Sequence, residues 1–418
     1  MDSRPSLVLR NVTLPSGRVA DIALADGRVT HVGACQVAED FLECTGLLVL
    51  PAAIDMHVHM RGGSQSAKED WKSGSRSALA GGVTVVVDQP NTIPPLNTPE
   101  RLRDRICDAR MNSWCNFAIN SSVTAQTPLE EMWHTGAMAF GETFFAPSSY
   151  GDAIDDAVLS RAMERIHAVD GLLTIHAEEV SDIPDTGMIS HDHVRSPWGE
   201  LQAVKAVRGL NKAGCRLHFC HLSTKRSMDA ASGTVEVTPH HLFLSREDFD
   251  DHDPFGKVNP PLREERERKQ LWRCWDRIDI IASDHAPHTR AEKAQGFSPA
   301  PSGLPGVETL LPLLLARVIE GKISLQSVIG KTSLKPAELL GIPPAGFRVG
   351  NRADFALFGR IPTPITAEIL HSKCGWTPFE GHFALFPTTV IMGGKKVYQD
   401  GEFFRADPIW FSGKGLIP

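Results

Sequence analysis

The chain has 418 residues, 42% hydrophobic and 22% charged, with a formal net charge of -7. That length suits one large domain with an appendage or two domains, and the composition is that of a globular protein with a sizeable core. No Lys/Arg run tracks a phosphate backbone, no apolar run approaches the ~18 residues of a membrane helix, and MDSRPSLVLRNVTL lacks the apolar segment of a signal peptide. The eight Cys have neither regular spacing nor a CxxC and read as reduced thiols, so the expectation is a soluble, cytoplasmic protein without nucleic-acid or membrane partners.

The first fifty residues read as short strands: SLVLRNVTL, VADIALADGRVTHVG and FLECTGLLVLP alternate apolar positions around Gly and Asp-Gly turns. From about 346 to 418, ADFALFG and TTVIMGGKKVYQDGEFF read the same way. These two flanks, 1–50 and 346–418, are predicted to pair into one small β-sandwich domain. Between them, 51–345 has another rhythm. Eight strand-like stretches follow one another at 47–55, 83–89, 116–123, 137–145, 172–178, 217–223, 234–240 and 278–284. Helical segments at 67–80, 98–111, 152–168, 198–213 and 263–277 separate most of them. Strand–helix alternation repeated eight times predicts an α/β fold of the (β/α)8 barrel type, with an open doubly wound sheet as the alternative. Several strands end on a polar residue, at the face where such barrels place active sites.

Asp55-Met56-His57-Val58-His59 closes the first barrel strand. Residues two apart in a strand point to one side, so His57 and His59 project together and can share a metal ion. Alone, an HxH is a weak motif. His176 in TIHAEE, His221 in HFCHLST and Asp284 in ASDHAPH also fall at strand ends. Four imidazoles and a carboxylate suit Zn²⁺ or a similar divalent ion, and are enough for two ions.

Taken together, DMHVHMR (55–61), AGGVTVVVDQPNTIPP (80–95), HLSTKRS (221–227), EVTPHHL (236–242), VNPPLR (258–263) and ASDHAPH (282–288) resemble the urease-related amidohydrolase superfamily, and within it the dihydroorotase branch. The resemblance covers essentially the whole chain. It implies that His57 and His59 hold one metal and that His176 and His221 hold a second, with two Zn²⁺ per chain. Asp284 becomes both a ligand and the proton-transfer group. It further implies that Arg61, Asn91, Asn259 and His288 bind substrate, and that SGLPGVE (302–308) offers backbone groups to the ring amide. The implied reaction is reversible hydrolysis of the cyclic amide of dihydroorotate, the small-molecule partner, in pyrimidine biosynthesis. A hydroxide shared by two divalent ions is a strong nucleophile near neutral pH, and a carboxylate such as Asp284 can pass its proton to the departing nitrogen. Arg61 has the planar fork that suits a carboxylate. A hydantoin, dihydropyrimidine or allantoin amidase is the alternative enzyme, and a catalytically silent subunit of a pyrimidine-pathway assembly the alternative outside catalysis. A homo-oligomer or association with a pathway enzyme is compatible with either.

One departure stands out. Many members of the superfamily bridge their metals with a carboxylated lysine after the fourth strand, but no lysine lies between Lys72 and Lys205. Glu142 in GAMAFGETFF is the only carboxylate in that strand and takes the bridging role in this reading. His218, His240 and His241 are expected to be structural or to support the ligands. His285 and His191 have no partner legible in the sequence. The loop Ala146-Pro147-Ser148-Ser149-Tyr150-Gly151 is either a lid over the substrate or a plain connector.

Overall fold

The computed structural model describes residues 5–35, 37–147 and 153–417. Residues from both ends of the chain share one nine-stranded sheet. Its order runs Glu402–Phe403, Lys395–Gln399, Pro387–Met392, Phe355–Phe358, Leu48–Pro51, Leu7–Thr13, Val19–Ala25 and Arg28–Val32, with Asp40–Glu43 parallel to Leu7–Thr13. The two flanks join where Phe355–Phe358 pairs antiparallel with Leu48–Pro51. Leu9, Ile22, Leu24, Val49, Phe355, Leu357 and Ile391 form its buried cluster. The Asp400-Gly401 turn has φ of 48° and 90°, the positive-φ pair that a two-residue hairpin requires and that Asp-Gly supplies with little strain.

The middle of the chain forms two parallel sheets. Ala53–Val58, Val83–Asp88 and Asn116–Ile119 make one. Phe140–Phe145, Leu172–Ala177, Arg216–Phe219, Thr234–Val237 and Ile280–Ile281 make the other. Single parallel bridges, Ser121 to Phe140 and Val58 to His285, link the sheets at both edges. Strand order follows chain order throughout, so the reversal that defines a doubly wound sheet is absent among the described residues. Every residue of Ala53–Val58, Val83–Asp88 and Leu172–Ala177 is buried, as expected of parallel strands covered on both faces.

Helices Trp71–Ala80, Pro99–Asn112, Asp156–Ala168, Pro197–Leu210 and Glu265–Arg273 alternate with these strands, close to the predicted segments. Asp70, Thr98, Asp155 and Ser196 cap the first four by accepting from backbone N–H groups of the first turn. Two short helices, Leu129–Thr135 and Lys225–Ala230, lie in stretches the sequence reading left unassigned.

The predicted first barrel strand, 47–55, is in fact two. Leu48–Pro51 belongs to the flank sheet, and the barrel strand begins at Ala53. Both halves are apolar and buried, so nothing in the hydrophobic pattern marks the break at Ala52. The C-terminal flank also reaches beyond its sheet: Phe117 donates to Ile409 O at 3.0 Å and accepts from Phe411 N at 2.8 Å, beside strand Asn116–Ile119. No helix among the described residues is long and apolar enough to cross a membrane. Ser148, Ser149, Tyr150 and Gly151 of the expected lid lie outside the described residues.

Candidate metal centre and active site

Strands that end at one face bring His57, His59, Glu142, His176, His221 and Asp284 together, all buried. The chain is bent to achieve this. Arg61, His221 and Asp284 have φ of 47°, 32° and 45°, a left-handed backbone that non-glycine residues adopt at a cost of about 1–3 kcal/mol each. Gly141, with φ of 120°, precedes Glu142, and a Cβ there would lie 2.2 Å from Thr174 O. Only glycine lets this strand approach its neighbour so closely.

Glu142 sits at the centre. Its Oε1 accepts from His176 Nδ1 at 2.9 Å and from His221 Nε2 at 2.8 Å. Its Oε2 faces His57 Nε2 at 3.5 Å and His59 Nε2 at 3.9 Å. Asp284 Oδ1 lies 3.5 Å from His57 Nε2 and 3.1 Å from His59 Nε2. Two ligands of one tetrahedral zinc ion lie about 3.3 Å apart, given bonds of about 2.0–2.1 Å. The separations among His57, His59, Glu142 and Asp284 bracket that value. His57 Nε2 is buried with no hydrogen-bond partner and points into this set. An orphaned imidazole nitrogen between two carboxylates fits a cation, and the residues present therefore fit a divalent metal.

The electrostatics agree. Burial lowers the basicity of His57, but Glu236, Glu142 and Asp284 outweigh it and hold the imidazole well above its ordinary value. Burial likewise opposes the charge on His176, while hydrogen bonds to Glu142 and Glu178 raise it to about 9. Burial raises Glu142, yet the neighbouring histidines bring it well below the usual carboxylate range. This is a field that favours positive charge, whether it is borne by protons or by metal ions.

Around them lie two carboxylates to which sequence reasoning gave no role, Glu236 and Glu178, and the histidines expected as supports. Glu236 accepts from His57 Nδ1 at 2.9 Å and from His221 N at 3.0 Å, and also binds His218 Nε2 at 3.1 Å. His218 is thereby tied to a carboxylate rather than to the ligand set. Glu178 accepts from His176 Nε2 at 2.6 Å and from Arg195 Nη1 at 2.7 Å. Carboxylates behind metal-facing imidazoles fix the tautomer and raise ligand basicity. Glu178 lies two residues after His176, in the quoted TIHAEE, and the acidic residue at that spacing was the available signal. His241 bridges Thr238 Oγ1 and Pro260 O. His285 Nδ1 accepts from Gly306 N at 3.1 Å, and His191 joins Asp185 to Val258 O.

The cleft above the cluster has a volume of about 400 Å³ and is lined by Arg61, Asn91, Asn259 and His288 as well as His59, Glu142, His176 and Asp284. His221 lies behind Glu142. Arg61 Nη2 lies 3.4 Å from His288 Nε2. His288 is held as a neutral imidazole, because burial and then the cations Arg61 and Lys68 press its basicity far down. Its Nδ1 lies 3.2 Å from Lys68 Nζ and its Nε2 lies 3.1 Å from Ser302 O, so both ring nitrogens are engaged by the protein. Asn91 Oδ1 accepts from His59 Nδ1 at 2.8 Å, which leaves its amide N–H groups for the cleft. Asn259 Oδ1 is buried there with no partner.

The amidohydrolase family model matches residues 48–397. A dihydroorotase of Halobacterium salinarum is 42% identical over 414 residues, covering 96% of this chain and 98% of that protein. A dihydroorotase of Methanosarcina acetivorans is 38% identical, covering 95% and 92%. Among solved structures, an L-hydantoinase (dihydropyrimidinase) from Arthrobacter aurescens matches with a TM-score of 0.90 at 25% identity, over 97% of this chain and 99% of that one. A D-hydantoinase (dihydropyrimidinase) from Thermus sp. shares the fold, with a TM-score of 0.88 at 22% identity over 98% and 99% of the two chains. With a family match over most of its length, near-full-length dihydroorotase relatives and a donor set suited to divalent metal, the chain belongs to the amidohydrolase family and is a metal-dependent cyclic amidohydrolase.

Proposed function

We propose that this protein is a dihydroorotase, which reversibly hydrolyses the ring amide of dihydroorotate to N-carbamoyl-aspartate. The observation that supports this most is one cleft with a carboxylate–histidine cluster at its floor and Arg61 on its wall. A neutral hydantoin has no need of a guanidinium, whereas the carboxylate of dihydroorotate suits its fork. The curated relatives named above are dihydroorotases, which favours the same reading.

We read the parallel strands as one (β/α)8 barrel over about 51–345 and the two flanks as a β-sandwich domain. In this reading His57, His59 and Asp284 would hold one Zn²⁺, His176 and His221 would hold a second, and Glu142, whose two oxygens face both groups, would serve the pair. Bound divalent metal would lower the pKa of a coordinated water and polarise the amide carbonyl. The chain's own residues do the rest. Asp284, beside His59 and His57, accepts the proton of the attacking water at Oδ1 and returns it to the departing ring nitrogen. Arg61 and Asn91 bind the substrate carboxylate, with His288 packed against Arg61. Asn259 and backbone groups of 302–308 hold the ring amide, and the buried floor excludes bulk water. Eight free thiols agree with a cytoplasmic setting.

The hydantoinase reading retains one argument, the close structural match to hydantoinases. The test is a comparison of dihydroorotate with hydantoin on metal-replete protein. Dihydroorotate is expected to be the better substrate by kcat/KM; preference for hydantoin sinks the assignment. The silent-subunit reading fails if either ring is opened.

A further inference from the structure

Lys293 ends the short helix Arg290–Lys293, five residues after His288, and its side chain is completely buried. No carboxylate lies within 4.0 Å of its Nζ among the described residues. Instead the ammonium donates to three backbone carbonyls, Lys257 O at 3.0 Å, Pro301 O at 3.1 Å and Gly303 O at 3.4 Å. Its Nζ stands 5.6 Å from the centroid of the Trp376 ring, and Trp376 Nε1 donates to His288 O at 2.7 Å. Burying an unpaired ammonium costs several kcal/mol, and an aliphatic side chain would fill the same space without that cost. What an aliphatic chain cannot do is satisfy three carbonyls, and an ammonium has three N–H groups for that task.

The three carbonyls belong to segments that form the substrate side of the cleft. Lys257 leads into Val258 and Asn259, and Pro301 and Gly303 flank Ser302, which accepts from His288. Gly303 N also donates to Lys257 O at 3.0 Å, so the two segments already touch. Lys257 adds a second tie: its own Nζ binds Phe297 O at 2.9 Å and Ser298 O at 3.1 Å.

We propose that Lys293 is a positioning residue whose ammonium clamps the Asn259 segment, the 301–303 loop and the His288 turn into one substrate-binding wall. The proposal rests on the reading of Asn259 and Ser302–Gly303 as substrate contacts and of His288 as the support of Arg61. Four groups face this ammonium from the surrounding elements. Burial and the Lys257 ammonium lower its basicity, to about 7, and the Asp253 carboxylate opposes them. Trp376 covers it with an aromatic face, and His288 beyond is neutral. Loss of one proton near neutrality leaves two N–H groups for three carbonyls, so the wall loosens as pH rises.

The experiment uses the metal-loaded, full-length protein and its Lys293→Met and Lys293→Arg variants. KM and kcat for dihydroorotate are measured from pH 6 to 9, with hydrogen exchange of segments 257–260 and 301–304 in the absence of substrate. Lys293→Met is expected to raise KM about tenfold with kcat changed less than twofold, the pattern of lost uniform binding, and to speed exchange in both segments. The wild type is expected to move toward that behaviour as pH rises through about 7. Lys293→Arg, which stays charged, keeps a lower KM than Lys293→Met at pH 9. A Lys293→Met protein with wild-type KM and wild-type exchange overturns the clamp. Should that variant not fold, wild-type exchange in both segments that stays flat from pH 6 to 9, after correction for intrinsic rates, overturns it equally. Wild-type protein inert toward dihydroorotate overturns the functional reading instead, and the exchange measurements still decide the clamp.

Discussion

Glu142 turns Oε1 to within 2.9 Å of His176 Nδ1 and keeps Oε2 on the opposite side, 3.5 Å from His57 Nε2. A carboxylate with one oxygen on each half of a histidine cluster has the form of a bridge. Two cations a few ångströms apart repel strongly, and an anion between them offsets that repulsion. Glu142→Ala is therefore expected to bind one metal per chain or fewer and to lose most activity. Reconstitution of the wild type is expected to be independent of bicarbonate, since no lysine carbamate has to form. Metal analysis checks both, and two ions in an active Glu142→Ala protein would remove this residue from the site.

Glu178 supports His176 from behind, through a 2.6 Å hydrogen bond to Nε2, and Arg195 holds Glu178 in turn. Outer carboxylates of this kind are worth about 10–100-fold in metal affinity. Glu178→Gln is expected to weaken binding of the ion at His176 and His221 by that factor while leaving the ion at His57 and His59 tight. Chelation should abolish wild-type activity and added Zn²⁺ should restore it, with the variant requiring more metal for the same recovery. Identical metal titrations of the two proteins would show that Glu178 does not tune the site.

Much of the site was legible because it depends on spacing along the chain. His57, His59, His176, His221 and Asp284 lie at strand ends, and strand ends are visible as apolar runs that stop at a polar residue. Glu142 was legible only through the family resemblance, which implies a bridging group after the fourth strand, where it is the sole carboxylate. The carboxylate behind His57 was not legible. Glu236 reaches His57 across 179 residues of sequence, and no local pattern encodes such a pairing. The break at Ala52 was hidden for a different reason: Leu48–Pro51 and Ala53–Val58 are both largely apolar and almost wholly buried, so neither shows the alternation that marks a strand and its register. Lys293 was invisible too, since a lysine in a charged helical segment reads as a solvated side chain until burial is known.

Arg61 carries the argument for an anionic substrate. Replacement by lysine keeps a charge but exchanges a planar fork for a single ammonium, at a cost of about 2–3 kcal/mol in kcat/KM for dihydroorotate. The loss should be much smaller for hydantoin, which lacks the carboxylate. Equal losses on the two substrates would mean that Arg61 supports the fold of the cleft rather than the anion.

His57→Ala, His176→Ala and Asp284→Asn test the floor of the cleft. Each removes one member of a buried set, and each is expected to lower kcat by at least a thousandfold, on the order of 4 kcal/mol. The fold should persist, because the apolar clusters beneath the strands do not include these side chains. Near wild-type turnover by any of the three, with circular dichroism unchanged, would sink the proposed chemistry.

Stability should fall on mild acidification, and the cause is a buried imidazole. Burial lowers His240 to about 4; Asp284 opposes that shift, and His221 and His57 reinforce it. Its Nε2 has no hydrogen-bond partner, so a proton there gains little. The ordinary value for histidine is 6.5, and the unfolded chain binds its proton near that pH while the native protein does not. The unfolded state therefore holds more protons between about 6.5 and about 4. Native stability is fully present above that window and is lost as pH falls through it, by up to about 1.4 kcal/mol per pH unit for one such group. His241 and His288, also lowered, act in the same direction. Urea unfolding of metal-saturated protein at pH 7, 6 and 5 should show this decline, with a shallower slope in His240→Gln, which cannot titrate. A slope in that variant equal to the wild type would assign the acid sensitivity to other groups.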